Sequence, residues 1–193
     1  MGIEFELKFC SDERTNEAIA RQVAGEEMVF QMATTYYDTP SGALSKRHYT
    51  LRRRQENQRS VCTLKTPAQG LGRREYELEK DTIEEAIPEL CKLSGIPDLP
   101  LLLLEGVQEV CYARFTRIAK TLVLPECTVE LALDHGILGG GHRQIPLCEV
   151  EVELKEGSRE AAVAYARQLA LTYGLEPEKK SKFQRARELA SGL

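Results

Sequence analysis

Apolar and polar residues alternate over much of this 193-residue chain. Ile3, Phe5, Leu7 and Phe9 fall on one side of an extended segment and Glu4, Glu6 and Lys8 on the other, because successive strand side chains point to opposite faces. The pattern returns late in the chain, where Val150, Val152 and Leu154 oppose Glu149, Glu151, Glu153 and Lys155. Between these two segments the same period predicts strands near 29–37, 48–55, 59–66, 72–79, 108–118, 120–124 and 127–134, with the last strand at 146–155. Helical signals interrupt them: Ser11 as an N-cap with Gly25 as a stop, Asp81 opening a segment with Pro88 inside it, and Ser158 capping a run that Gly174 ends. A charged helix is expected from Pro177 to the end, and Gly139–Gly141 reads as a turn. Many short strands with helices inserted between pairs predict an α+β fold, an eight-stranded antiparallel β-barrel with surrounding helices. No internal repeat or linker divides the chain, so residues 1–193 read as a single domain.

Charge then narrows the partners. Lys and Arg total 26 against 30 Asp and Glu, a net charge of −4, so no global basic field recruits nucleic acid and any bound anion needs a local cluster. No apolar run approaches the roughly 18 residues of a membrane helix, and the charged start MGIEFELKF does not read as a secretory signal. A cytoplasmic protein with no membrane partner is expected. The six cysteines are scattered singly without a CxxC pair, which excludes metal fingers and predicts reduced thiols that fill core space. With only three histidines, carboxylates must carry any metal.

The polar strand faces hold the chemistry. Arg52 and Arg54 share one face, Lys65 ends another, Arg73, Glu75, Glu77 and Glu79 line a third, and Glu130 and Asp134 a fourth. A single charged face ordinarily meets water. Like charges adjacent on a solvated strand repel, however, and rows of glutamate gain nothing there. If the ionic faces turn into a barrel lumen, both sets share one cavity. Hard carboxylate oxygens suit Mg²⁺ or Mn²⁺, and arginine forks suit phosphate oxygens, so the joint reading is a metal–polyphosphate site. No Walker A lysine motif and no GxGxxG loop after a strand is present, so side chains must hold the phosphates. Carboxylates clustered without a metal repel, which predicts that Glu6→Gln or Glu151→Gln stabilises the metal-free protein.

Glu4-x-Glu6-x-Lys8 resembles the ExExK signature of CYTH domains, the triphosphate tunnel metalloenzymes. Further matches follow in order: Tyr37-Asp38-Thr39, Arg52-x-Arg54, Thr63-Leu64-Lys65, Arg73-x-Glu75-x-Glu77, Arg117, Asp134, Glu149-x-Glu151-x-Glu153-Leu-Lys and Ser181-Lys182. The resemblance implies an eight-stranded antiparallel tunnel around a triphosphate. It implies Glu4, Glu6, Asp134, Glu149 and Glu151 as ligands for Mg²⁺ or Mn²⁺, and Lys8, Arg52, Arg54, Lys65, Arg117 and Lys182 as phosphate-binding residues. Glu77 is the expected inward acid of its strand, and Asp38 is expected in a turn. Glu4, Glu6 and Lys8 are the candidate catalytic groups, with a glutamate as ligand or as acceptor of the water's proton. The SKFQRA and EVEVELKEG segments are most similar to bacterial inorganic triphosphatases, which implies metal-dependent hydrolysis of tripolyphosphate or another polyphosphate. Class IV adenylyl cyclisation, thiamine triphosphate hydrolysis and non-catalytic polyphosphate binding are the alternatives. A histidine-rich CHAD domain, linked or separate, is a possible partner by the same resemblance.

Overall fold

A computed structural model describes residues 2–68 and 73–191, with the side chains of residues 2–4 excepted. Ten antiparallel segments form one sheet. The N-terminal stretch supplies β1 (Gly2–Glu4) and β2 (Glu6–Cys10), separated by Phe5. After α1 (Glu13–Gln22) come β3 (Glu27–Asp38), the short α2 (Ala43–Lys46), β4 (Thr50–Glu56), β5 (Arg59–Pro67) and β6 (Arg73–Glu79). Helices α3 (Ile83–Ser94) and α4 (Leu99–Leu102) lead to the long strands β7 (Gln108–Val123), β8 (Cys127–Gly140) and β9 (Arg143–Gly157). Helix α5 (Arg159–Tyr173), the two-residue β10 (Glu176–Pro177) and α6 (Lys182–Ser191) complete the chain.

The strand order is β1-β6-β5-β4-β3-β7-β8-β9-β2-β10. β1 pairs with β6 and β2 pairs with β9, so one N-terminal stretch reaches both ends of the strand series. β1 and β2 are consecutive in the chain and not paired with each other, so the ladder is not a closed cylinder. The expected eight strands correspond to the seven from β3 to β9 together with the split N-terminal strand, and β10 is an addition.

The alternation sorts the two faces as expected on one side. Phe9, Val129, Leu131, Leu133, Val150 and Val152 pack outward against Ile19 of α1 and Ala162, Ala166 and Leu169 of α5. Leu51, Cys62, Leu64 and Tyr76 do the same against Ile83, Ala86 and Leu90 of α3. Each buried Leu or Ile contributes roughly 1.5–3 kcal/mol, so these two layers dominate the fold's stability. Helix α6 is different. Its Phe183 and Ala186 pack with Met32, Tyr36, Phe115 and Leu138, which belong to the inner, ionic face of the sheet. α6 therefore covers part of the concave face instead of the outside.

Several boundaries moved for physical reasons. The strands expected at 108–118 and 120–124 are the single strand β7. β8 runs through Gly139 and Gly140, so of the turn expected at Gly139–Gly141 only Gly141 lies in one, with φ of 57°. A Cβ at Gly139 would stand 2.2 Å from the Tyr112 ring, and one at Gly140 2.3 Å from the Ala186 carbonyl, so these glycines admit a ring and a helix rather than bend the chain. The N-cap of α1 is Asp12 rather than Ser11, its Oδ1 accepting from Thr15 N at 2.9 Å. α3 continues unbroken past Pro88. The C-terminal helix begins at Lys182 because Glu176 and Pro177 instead pair with Cys10 and Phe9. Ser158 and Gly174 cap α5 as expected.

Among the described residues no helix is long and apolar enough to cross a membrane. Every cysteine is free; Cys62, Cys111 and Cys127 are buried, whereas Cys10 is exposed and fills no core space.

Candidate active site

The inner face encloses a cavity of about 360 Å³. Register explains how distant segments meet there. β3 and β4 bring Tyr36 opposite Arg52 and Thr34 opposite Arg54, and β4 and β5 bring Arg52 opposite Thr63 and Thr50 opposite Lys65. On the far wall Glu6 lies opposite Glu153, Lys8 opposite Glu151, and Glu130 opposite Glu153. A basic wall from β4 and β5 thus faces an acidic wall from β2, β8 and β9.

The basic wall is partly neutralised by β6. Glu75 Oε1 lies 3.3 Å from Arg52 and 3.1 Å from Lys65, while Glu77 accepts from Thr63 Oγ1 at 3.0 Å and stands 3.9 Å from Arg52. The expected inward acid Glu77 does line the cavity, but Glu75 makes the tighter pairs. Arg54 pairs with Glu56 at 3.1 Å. Burial, together with the charges of Arg52 and Arg117, weakens the hold of Arg54 on its proton relative to an ordinary guanidinium. Arg52 Nε and Arg54 Nε are buried and donate to nothing among the described residues. Two guanidinium donors left unpaired on a cavity wall carry a desolvation cost that an anion's oxygens would remove.

On the acidic wall Lys8 lies 3.6 Å from Glu6, and Lys155 lies 2.7 Å from Glu153 and 3.6 Å from Glu130. Deeper, Asp134, Glu149 and Glu151 offer oxygens that all lie within 4.8 Å of one another. Asp134 and Glu149 are 0% exposed and do not line the cavity; Glu151 does. Arg117 grips Asp134 through two hydrogen bonds of 2.7 and 2.8 Å and also donates to Glu151. Lys182 Nζ stands 2.8 Å from Asp134, 2.5 Å from Glu149 and 2.7 Å from Glu151, and Arg185 reaches Glu149 at 2.7 Å.

These neighbours set the charges. Burial pushes the Glu149 carboxyl up to about 7 against the pull of Lys182. Burial also opposes ionisation of Glu151, but Lys182 and Arg117 outweigh it and hold that carboxyl well below its usual range. Lys182 itself is raised, since the three carboxylates more than offset its burial.

The structure thus brings Glu6, Lys8, Arg52, Arg54, Lys65, Glu77, Arg117, Glu151 and Lys182 to one cavity. Asp134 and Glu149 stand directly behind it. The side chain of Glu4 lies outside the described residues. The donors of Arg117 and Lys182, expected to face phosphate, are turned onto carboxylates here. Arg185 and Glu75 went unassigned from sequence; helical spacing from Lys182 could have flagged Arg185. Asp38, expected in a turn, is instead the last residue of β3, and its carboxylate accepts from Leu44 N and Ser45 N at 3.0 and 3.2 Å.

As a metal centre, the acids on this side form an all-oxygen, multiply charged set that suits a hard divalent cation, and their spacing accommodates one ion. The residues fit such an ion provided that the Lys182 ammonium gives way.

The CYTH domain model matches residues 2–186. An inorganic triphosphatase of Haemophilus influenzae is 34% identical over 131 residues, 66% of this chain, and the match spans only 37% of that longer protein. Among solved structures, a protein of Bacillus halodurans described as a candidate adenylate cyclase superposes with a TM-score of 0.66 at 22% identity, covering 95% of this chain and 96% of that one. A protein from Hippeastrum, described as a candidate adenylyl cyclase with a dominant triphosphatase activity, superposes at 0.63 with 17% identity, covering 98% and 96%. At these identities the two superpositions establish the shared fold.

Proposed function

Because the chain belongs to the CYTH domain family, we propose that it hydrolyses a phosphoanhydride bond of a triphosphate inside this cavity, with inorganic tripolyphosphate as substrate and Mg²⁺ or Mn²⁺ as cofactor. The observation that carries the reading is the pair of buried, unpartnered Nε donors of Arg52 and Arg54 on a wall opposite a row of carboxylates. An elongated polyanion that also carries metal satisfies both walls at once.

In this mechanism Arg52, Arg54 and Lys65 hold the phosphate chain and stabilise charge on the transferred and leaving groups. Lys8 supplies a further positive charge from β2. Glu6 and Glu151, with Glu4 and the buried Asp134 and Glu149, make up the carboxylates that would hold the metal, and Glu130 and Glu153 extend them. A bound divalent ion supplies charge neutralisation at the phosphate oxygens. A cavity carboxylate such as Glu6 accepts the proton of the attacking water, so no covalent intermediate is required.

A second reading has one observation in its favour. A pocket of about 700 Å³ lined by His48, Tyr49, Gln184 and Arg187 shares Thr50, Arg73, Ser181 and Phe183 with the cavity, which leaves room for an organic group on the triphosphate. Phosphate release measured in parallel from tripolyphosphate, ATP, thiamine triphosphate and pyrophosphate, with and without chelator, separates the two. Release from tripolyphosphate that stops on chelation is expected. Release from none of the four, or release unaffected by chelation, would overturn the proposal.

A further inference from the structure

The Asp134, Glu149 and Glu151 carboxylates surround an occupant that the chain itself provides. Lys182 Nζ is the first described side-chain cation of α6, and its contacts of 2.8, 2.5 and 2.7 Å reach one oxygen of each acid. The ammonium donates hydrogen bonds to Glu149 Oε1 and Glu151 Oε1 and forms an ion pair with Asp134 Oδ2. The two neighbouring guanidiniums lean mainly on the other oxygens. Arg117 takes Glu151 Oε2 and both oxygens of Asp134, and Arg185 takes Glu149 Oε2, whereas Lys182 takes Glu149 Oε1 and Glu151 Oε1 and shares Asp134 Oδ2 with Arg117. Removing the ammonium would free Glu149 Oε1 and Glu151 Oε1 beside Asp134 Oδ2, which Arg117 still holds, and oxygens of the three acids lie within 4.8 Å of one another.

We propose that Lys182 is the resident cation of this triad, and that its ammonium and a divalent metal ion are alternative occupants of the same carboxylate cage. Both are cations that need the same oxygens, so they exclude each other by charge and by space. The displaced ammonium has a destination, since Ser181, Lys182 and Phe183 already border the cavity beside Arg52. A polyanion there would compensate the lysine's charge. Metal entry and triphosphate binding therefore favour one another, and by linkage the effect runs both ways. This rests on the metal-dependent reading above and adds to it a role for one lysine.

The test uses Mn²⁺ alone, without any phosphate, titrated into the full chain and followed by electron paramagnetic resonance of the free ion. In the wild type the competent fraction is held down by the lysine, so Lys182→Met should bind Mn²⁺ about ten-fold or more tightly than wild type. The gain should vanish when Glu149→Gln is added, and Lys182→Arg, which keeps a cation, should resemble wild type. Equal Mn²⁺ affinity and stoichiometry in wild type and Lys182→Met would overturn the proposal. If Lys182→Met is folded but too unstable for the titration, its melting temperature becomes the readout: Mn²⁺ should raise it more than it raises that of wild type, and equal shifts would overturn the proposal just as well. A chain that failed to hydrolyse any triphosphate would sink the functional reading while leaving this metal titration fully interpretable.

Discussion

Glu151→Gln separates two views of the acidic wall. If the carboxylates merely repelled one another, neutralising one would stabilise the metal-free protein, as the sequence alone suggests. The structure reverses that expectation, because Glu151 is 8% exposed and accepts from both Lys182, at 2.7 Å, and Arg117. Glutamine keeps the shape and one acceptor oxygen, but it turns an NH₂ group toward a cation and removes one of the carboxylate charges that neutralise the buried Lys182 and Arg117, leaving Asp134 and Glu149 to do so. Breaking a buried pair from one side costs about 3–5 kcal/mol. Taking the lower figure because one acceptor survives, and about 2–4 °C per kcal/mol for a chain of this size, the melting temperature should fall by about 6–12 °C. The assay is thermal unfolding of both proteins in chelator near neutral pH. An unchanged or raised melting temperature would refute the view that this cluster is already neutralised from within.

Other consequences follow from single contacts. Arg54→Met should weaken tripolyphosphate binding by about 2–4 kcal/mol in calorimetry while the far-ultraviolet spectrum is unchanged, and unchanged affinity would place the anion elsewhere. Lys120 is buried and donates to the Ala20 and Val23 carbonyls at the end of α1, at 2.5 and 2.9 Å, so Lys120→Met should lower stability by about 1–3 kcal/mol and speed amide exchange in α1. Burial pushes the Cys111 thiol up to about 12. A raised thiol stabilises the fold below its unfolded pKa and loses that stabilisation as pH climbs toward the folded value, so the stability difference between wild type and Cys111→Ala should shrink as pH rises above 9, as followed by chemical denaturation at several pH values.

Alternation made the sheet legible, because one face of nearly every strand had to reach α1, α3 or α5 and the other had to be ionic. It also placed Arg52, Arg54, Lys65 and Glu6 correctly on the inner face. What it could not convey was depth. Asp134 and Glu149 share a face with Glu130 and Glu153, yet the first two are sealed under α6 while the others border the cavity. That difference comes from where α6 packs, and α6 lies on the inner face because Gly140 lets the helix backbone approach β8, a tertiary fact with no periodic signature. Glycine likewise misled at Gly139, where the missing side chain makes space for the Tyr112 ring. The roles of Lys182 and Arg117 differed from expectation for a related reason. Charged side chains inside a cavity seek the nearest counter-charge, and the carboxylates are nearer than any external anion.

On the proposed reading, the walls of Arg52 and Arg54 on one side and Glu6 and Glu151 on the other hold a triphosphate between them. Diffraction from crystals of the protein grown with tripolyphosphate and Ca²⁺, a metal expected to support turnover poorly, tests this most directly. A chain of phosphorus density is expected inside the cavity, with phosphate oxygens within hydrogen-bond distance of Arg52 Nε and Arg54 Nε. Tripolyphosphate bound on the outer surface, with both Nε donors still unpaired, would contradict it.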